Sequence, residues 1–323
     1  MCFKNRMVKL YEKRPNKQIY FKLLFAQHKT QYFGLNNITT LSKQFHLNFL
    51  YNTPIIALPF INIIYFSFNK YVVTPKKYLG QHFLRDENIA KKIADIPLQS
   101  GYEGDILEIG PGMGVLTKYM IAAFPKLNLK VCEIDGESVA YLKKAYPQLS
   151  IIEGDFLKLD LATYFDKQVY IIGNFPYNIS SQIVFQIIEQ RHLVPAAAGM
   201  FQKEMAERIA AKHGGKDYGI LSVLTQSFYD VEYLFTVHEH VFSPPPRVKS
   251  GVIKLTRKEN LGDFDPAFLK TIVKTSFNQR RKTMRNSLSS FIKNPEMKSN
   301  PVFDKRPEQL SVLEFQQLSN MMI

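Results

Sequence analysis

At 323 residues, 46% hydrophobic and 22% charged, the chain has the make-up of a globular protein with a substantial core. Its two cysteines, Cys2 and Cys132, exclude a disulfide-stapled scaffold and any zinc-ligand spacing, and they suit a reducing compartment. The net charge of +14 points to a polyanionic partner, but residues 1–73 hold ten Lys/Arg against one acid, Glu12, and so account for nine of those charges.

That first stretch differs from the rest. It holds one glycine, many Asn, Lys, Phe and Tyr, and little periodicity. The run 49–68 is apolar and about as long as a membrane span, roughly 20 residues, yet Asn52, Pro54, Pro59 and Asn62 interrupt it. No cleavage site follows it, and arginine is too scarce for a transit peptide. Residues 1–73 are therefore expected to lie outside the working fold, as a disordered leader or as sequence upstream of a true start near Val72 or Val73.

From Thr74 the pattern turns regular. Asp86 predicts an N-cap for a helix over 86–94. Residues 105–109 read as a strand, followed by a glycine-rich turn and a helix over 115–123. Strands over 129–133, 150–153, 169–173 and 197–201 then alternate with helices over 137–145, 180–189 and 203–211. This alternation predicts a parallel, doubly wound α/β sheet with ligand-binding residues at the carboxyl ends of its strands. Ser243-Pro-Pro-Pro246 marks a break, and a strand over 252–255 is expected to finish the sheet. Helices over 265–276, 282–291 and 312–321 then suggest a second, small all-helical domain, giving a division into 74–256 and 257–323.

Three features after strands point to a nucleoside-shaped ligand. The turn Gly110-Pro-Gly-Met-Gly114 lets backbone approach a ligand, and its spacing departs from the dinucleotide fingerprint. Glu133, at the end of the second strand, can accept from ribose hydroxyls, and Asp155, after the third, from an adenine amino group beside Phe156. Taken singly, each is also an ordinary turn or a helix-start charge.

What separates a methyl donor from a dinucleotide is Asn174-Phe175-Pro176-Tyr177, after the fourth strand. The lone pair of adenine N6 is delocalised into the ring and reacts poorly unless acceptors hold its N–H bonds. The Asn174 side-chain oxygen and the Pro176 carbonyl are the expected acceptors, and Tyr177 offers a stacking face worth ~1–3 kcal/mol. Phe201 is a candidate second aromatic wall, or else a core residue. A base in such a pocket has left its stack. An Asn-x-Pro turn with a packing tyrosine is the plainer alternative.

With these motifs, and with Leu79-Gly-Gln-His-Phe-Leu84, Gln202-Lys-Glu204, Phe242-Ser-Pro-Pro-Pro-Arg-Val248 and the run from Phe277 to Leu288, residues 74–323 resemble the bacterial small-subunit ribosomal RNA adenine dimethyltransferase family. The resemblance implies a Rossmann-like class I methyltransferase sheet with a small C-terminal helical domain. It implies S-adenosylmethionine as methyl donor and dimethylation of two adjacent adenosines in the 3′-terminal hairpin of 16S rRNA, within the immature small subunit. By the resemblance the cofactor site comprises His82, Leu84, Gly110, Glu133, Asp155 and Asn174. His82 stands where the family often has Asn, and Phe175 where Leu is commoner. Arg280, Arg281, Lys282 and Arg285, within a cluster that begins at Lys274 and holds no acid, are expected to contact phosphates. The expected protein is cytoplasmic and monomeric, with no metal and no stable membrane partner.

Two other classes of protein share parts of this pattern. A binding protein serving as an assembly checkpoint or transcription factor would not need Asn174 and Tyr177, which are intact. DNA adenine methyltransferases usually carry Asp-Pro-Pro-Tyr at this place, and large-subunit resistance methyltransferases share the Asn-x-Pro-Tyr core but not the long tail match.

Overall fold

The strands alternate cleanly in what they bury. On one face Ile106, Tyr170, Ile172, Ala198, Met200 and Val252 enter one hydrophobic cluster; on the other Leu107, Ile109, Ile171, Ala197, Ile253 and Leu255 enter a second. A sheet covered on both faces is the environment that parallel strands require. The computed structural model describes residues 73–123 and 128–323. The expectations for the leader fall on residues outside those described, save Val73, which is buried.

In chain order the elements are β1 (Phe83–Leu84), α1 (Glu87–Ala94), α2 (Ile96–Gln99), β2 (Asp105–Ile109), α3 (Thr117–Ala123), β3 (Leu129–Glu133), α4 (Gly136–Ala145), β4 (Ser150–Glu153) and β5 (Val169–Asn174). There follow α5 (Ser180–Glu189), β6 (Ala196–Gln202), α6 (Lys203–Ala210), α7 (Ile220–Phe228), β7 (Tyr229–Val237), β8 (Phe242–Ser243), β9 (Ser250–Arg257), α8 (Pro266–Asn278), α9 (Met284–Ser287) and α10 (Val312–Met322). The main sheet has the order β4-β3-β2-β5-β6-β9-β7. Its first five strands are parallel, and β9 lies antiparallel between β6 and β7. A separate antiparallel pair joins β1 to β8.

Local chemistry explains most boundaries. Asp86 caps α1 as expected, accepting from the amides of Asn88 (2.9 Å) and Ile89 (3.0 Å). Ser311 and Glu314 form a reciprocal capping box that starts α10.

Three sequence expectations are corrected. The helix after the glycine turn begins at Thr117, two residues late, because the turn runs on through residue 116. The strand expected over 252–255 is the last of the sheet in chain order, as β9, but it does not lie at the edge: it is inserted between β6 and β7. The helix expected over 282–291 is only the short α9, followed by a 3-10 turn over Ser289–Phe291. Here Met284 donates its amide to Lys305 (2.8 Å), tying the segment to the tail. Elements α7 and β7 were not foreseen.

α8 and α10 pack on each other and on α7. Their buried side chains, including Leu269, Ile272, Phe315 and Leu318, belong to the same cluster as Ile171 and Leu255 of the sheet. Among the described residues no helix is long and apolar enough to cross a membrane.

Candidate active site

A cleft opens over the carboxyl ends of β2 to β5. Five of the six cofactor candidates line it: His82, Gly110, Glu133, Asp155 and Asn174, together with Pro176 and Tyr177. Leu84 does not. It pairs with Phe242 in the small sheet, and its side chain is buried with Ile93 and Met120. Phe201 is likewise a core residue, 1% exposed, with its ring centroid 4.8 Å from that of Phe175. Gly112, within the glycine turn expected at the ligand, also lines the cleft, while Phe83, Ile134 and the segment 79–81 line it and were not singled out from sequence as ligand contacts. Of these, Ile134 carried a readable sign, an apolar residue directly after the strand-ending acid, and the structure leaves it 55% exposed.

The glycine turn is tied to the next strand through Glu133. Gly112, at φ +56°, donates its amide to Glu133 Oε2 (3.0 Å), and Ile134 (3.0 Å) and Asp135 (2.9 Å) donate theirs to Oε1. A Cβ at position 112 would stand 2.8 Å from the Phe83 ring. Burial pushes the Glu133 carboxyl upward in pKa, and the backbone donors oppose that shift. A carboxylate offers about four acceptor positions, so three donors leave one free. Asp155 spends Oδ1 on the Leu157 amide (3.0 Å), which leaves Oδ2 available.

Glu108, one strand over, is a different case. It is 1% exposed, and the Thr117 hydroxyl donates to it at 2.5 Å. Burial pushes its pKa up to about 8. Burial also raises Cys132, to about 12, which makes this thiol inert.

Asn174 ends β5, and its Nδ2 donates to the His82 carbonyl (3.0 Å). A carbonyl can only accept, so this bond fixes the amide: the NH2 group faces His82, and Oδ1 remains free as an acceptor. The Pro176 carbonyl, by contrast, already accepts from Ser180 Oγ (2.9 Å) and the Ile179 amide (3.3 Å), at the start of α5. The Phe175 carbonyl, one residue earlier, accepts no hydrogen bond among the described residues. Tyr177 is held at both ends. Its hydroxyl is 2.5 Å from Ser250 Oγ, and its ring stacks on that of His82 (centroids 5.4 Å apart, planes at 29°). His82 Nδ1 lies 2.8 Å from the Pro244 carbonyl, so the proton of the neutral ring sits on Nδ1.

The family model for ribosomal RNA adenine dimethylase matches residues 73–321. This chain belongs to that family. Ribosomal RNA small subunit methyltransferase A of Cytophaga hutchinsonii is 56% identical over 256 residues, covering 77% of this chain and 98% of the relative. The protein of the same name from Flavobacterium johnsoniae is 59% identical over 248 residues, covering 75% and 94%. Among solved structures, a dimethyladenosine transferase from Plasmodium falciparum superposes with a TM-score of 0.63 at 26% identity, over 75% of this chain and 98% of that one. The 23S rRNA methyltransferase ErmE gives 0.56 at 24% identity, over 74% and 99%, which supports the fold.

As a ribosomal RNA adenine dimethylase the chain uses S-adenosylmethionine, and the acceptors in the cleft fit it. The free acceptor positions on Glu133 and Asp155 suit the hydroxyls and amine of an adenosine, and Ile134 gives an apolar wall. When bound, this cofactor supplies an electrophilic methyl group on a positively charged sulfur.

The family's tail segment divides into two pairs. Arg280 donates to the Gly215 carbonyl (3.0 Å) and lies 3.7 Å from Glu308, and Arg285 pairs with Asp304. Arg281 and Lys282 are exposed, and among the described residues no partner engages their side chains. The sequence put all four in one cationic cluster; the structure has committed two of them.

Proposed function

We propose that this chain dimethylates N6 of two adjacent adenosines in the 3′-terminal hairpin of 16S rRNA, acting on the immature small subunit and so in its biogenesis. The observation that carries the reading is the fixed amide of Asn174, which aims one acceptor at the place a flipped adenine amine would take. The Phe175 carbonyl supplies the second acceptor in place of the engaged Pro176 carbonyl, while Pro176 holds the turn. With His82 against one face of Tyr177, the target base stacks on the other. Two acceptors on the N–H bonds localise the N6 lone pair toward the methyl carbon, and the amine loses one of those protons after transfer. Catalysis is then mainly positioning and desolvation.

His82 and Gly110 bound the cofactor site, with Phe201 supporting the Phe175 turn from the core. Residues 74–256 act as the methyltransferase domain and 257–323 as the RNA-binding one. Arg281 and Lys282 contact phosphates, and Arg280 and Arg285 hold the surface that presents them. The small-subunit relatives support this choice of RNA. The working protein is a cytoplasmic monomer.

The test is transfer of labelled methyl groups from S-adenosylmethionine to unmethylated small subunits, naked rRNA and DNA. Label on two adjacent adenosines of the small subunit is expected. Label confined to large-subunit RNA or to DNA would overturn the reading.

A further inference from the structure

Directly before the segment 79–83 that lines the cleft stands an aromatic residue that the site as described leaves unused. Tyr78 is 75% exposed, the most exposed of the large hydrophobic side chains among the described residues. It sits in the 3-10 turn Lys77–Leu79, directly before Leu79 and Gly80, which line the cleft. Singly exposed hydrophobics are common and need no ligand. This one differs in how firmly its backbone is held.

Anchors grip the turn from both sides of the cleft. On the β5 side, Asn178 Nδ2 donates to the Tyr78 carbonyl (3.2 Å), one residue beyond Tyr177. Gly80, at φ +65°, sits so close to Asn178 that a Cβ would stand 2.7 Å from its Oδ1. On the β3 side, Lys76 pairs with the buried Asp135 and lies 3.4 Å from Glu137. Gln81 closes the turn by accepting from the Lys76 amide (2.8 Å). A ring on so rigid a support offers its face to a ligand at little cost in backbone order. Lys77 beside it is exposed, and no partner engages its side chain among the described residues. A flat apolar face next to a free cation matches the two parts of a nucleotide, base and phosphate.

We propose that Tyr78 and Lys77 form a second nucleotide subsite, in which the base next to the target adenosine stacks on the Tyr78 ring and its phosphate meets Lys77. The proposal rests on the RNA reading above and deepens it. A flipped target leaves its neighbour without a stacking partner on one side, and the Tyr78 ring replaces that partner. The subsite needs only the ring, not the hydroxyl, so it accepts any base. Because the same contact exists before and during transfer, it acts on RNA binding and not on the chemical step.

The experiment uses the full chain as wild type, Tyr78→Ala, Tyr78→Phe and Lys77→Gln, with labelled S-adenosylmethionine and unmethylated small subunits. Tyr78→Ala should raise KM for the subunit about tenfold with kcat within about twofold, and Tyr78→Phe should match wild type. Lys77→Gln should lower the salt dependence of RNA binding by about one phosphate contact. Cofactor affinity, measured by titration, should be unchanged in all three variants, which separates the subsite from damage to the fold. A hairpin with 2-aminopurine beside the target should lose fluorescence on binding wild type or Tyr78→Phe, but not Tyr78→Ala. A KM for Tyr78→Ala within twofold of wild type, or equal quenching by all variants, would overturn the subsite. Wild type that methylates no small-subunit RNA would instead sink the substrate reading, and quenching, which needs only binding, would still decide the stack.

Discussion

In the strand-end cleft, polar side chains are aimed by partners that leave a defined remainder. Glu133 takes three backbone amides and keeps one acceptor position, and Asn174 gives its NH2 group to His82 and keeps Oδ1. In the tail, at 280–285, polar side chains fall into two kinds: Arg280 and Arg285 are committed to the protein, while Arg281 and Lys282 are not. The roles proposed for both regions draw on hydrogen-bonding capacity that folding has not consumed. The regions differ in what sets it. In the cleft it is fixed by buried geometry; on the tail it depends on which of several neighbouring cations finds an acid or carbonyl nearby.

The sharpest way to break this comparison is at Asn174. Asn174→Ala should lower kcat by ~10²–10³, the range for removing one aimed hydrogen-bonding group at a reacting centre, with RNA binding kept. Asn174→Asp should not rescue it. The aspartate keeps an oxygen but sets a second one against the His82 carbonyl, where no proton is available. Single-turnover methyl transfer would check both, and an active Asn174→Asp would show that the His82 bond does not do the aiming.

Next in size is the contrast between two neighbouring carboxyls. Glu133 has three backbone donors, and Glu108 has one hydroxyl. With its folded pKa at about 8, against 4.5 as the ordinary value, Glu108 keeps in the folded state a proton that the unfolded chain releases. Stability from this group is therefore full below about pH 4 and declines as pH rises toward 8. Glu108→Gln keeps an acceptor for Thr117 and carries no charge. Its stability gain over wild type should grow from near zero at pH 4–5 to roughly 2–4 kcal/mol at pH 8. Thermal melts across that range would show it, and a gain independent of pH would mean that Glu108 is not held protonated.

Much of this was legible in advance, for physical reasons. Strands β2, β3 and β4 coincide with their sequence-read limits because β-branched or apolar runs end at glycine, acid or turn residues. Gly110, Glu133, Asp155 and Asn174 were legible because each ends or follows a strand, whereas His82 precedes every strand and came only from the resemblance. What was not legible depends on partners distant in sequence. Leu84 and Phe201 look no different in sequence from residues that line a site, and only the packing puts them in the core. The Pro176 carbonyl could not be known as occupied without the place of Ser180 Oγ. In α7, Ser222, Thr225 and Ser227 are buried along with the apolar residues, which blurs its helical period. The adjoining β7 carries a register shift between Tyr233 and Phe235.

The smallest effects test the tail, where single-residue contrasts are cleanest. Arg281→Ala should weaken RNA binding several-fold near 0.1 M salt and reduce the slope of log K against log salt by ~0.7–0.9, with the melting temperature unchanged. Arg280→Ala should do the reverse. Its guanidinium holds the Gly215 carbonyl and lies over the Phe277 ring at 5.9 Å, so its loss loosens the 212–216 loop from the tail. Its side chain is 37% exposed, so solvent screens the ion pair with Glu308 and the cost should stay below about 1 kcal/mol. Gly214 still donates to the Glu308 carbonyl in that variant, which limits the damage further. The two arginines are adjacent in sequence and alike in chemistry, so an electrostatic account based on the cluster as a whole expects equal salt slopes. Equal slopes for Arg280→Ala and Arg281→Ala would mean that Arg280 leaves Glu308 on meeting RNA, and that commitment in the free protein does not predict which cations bind.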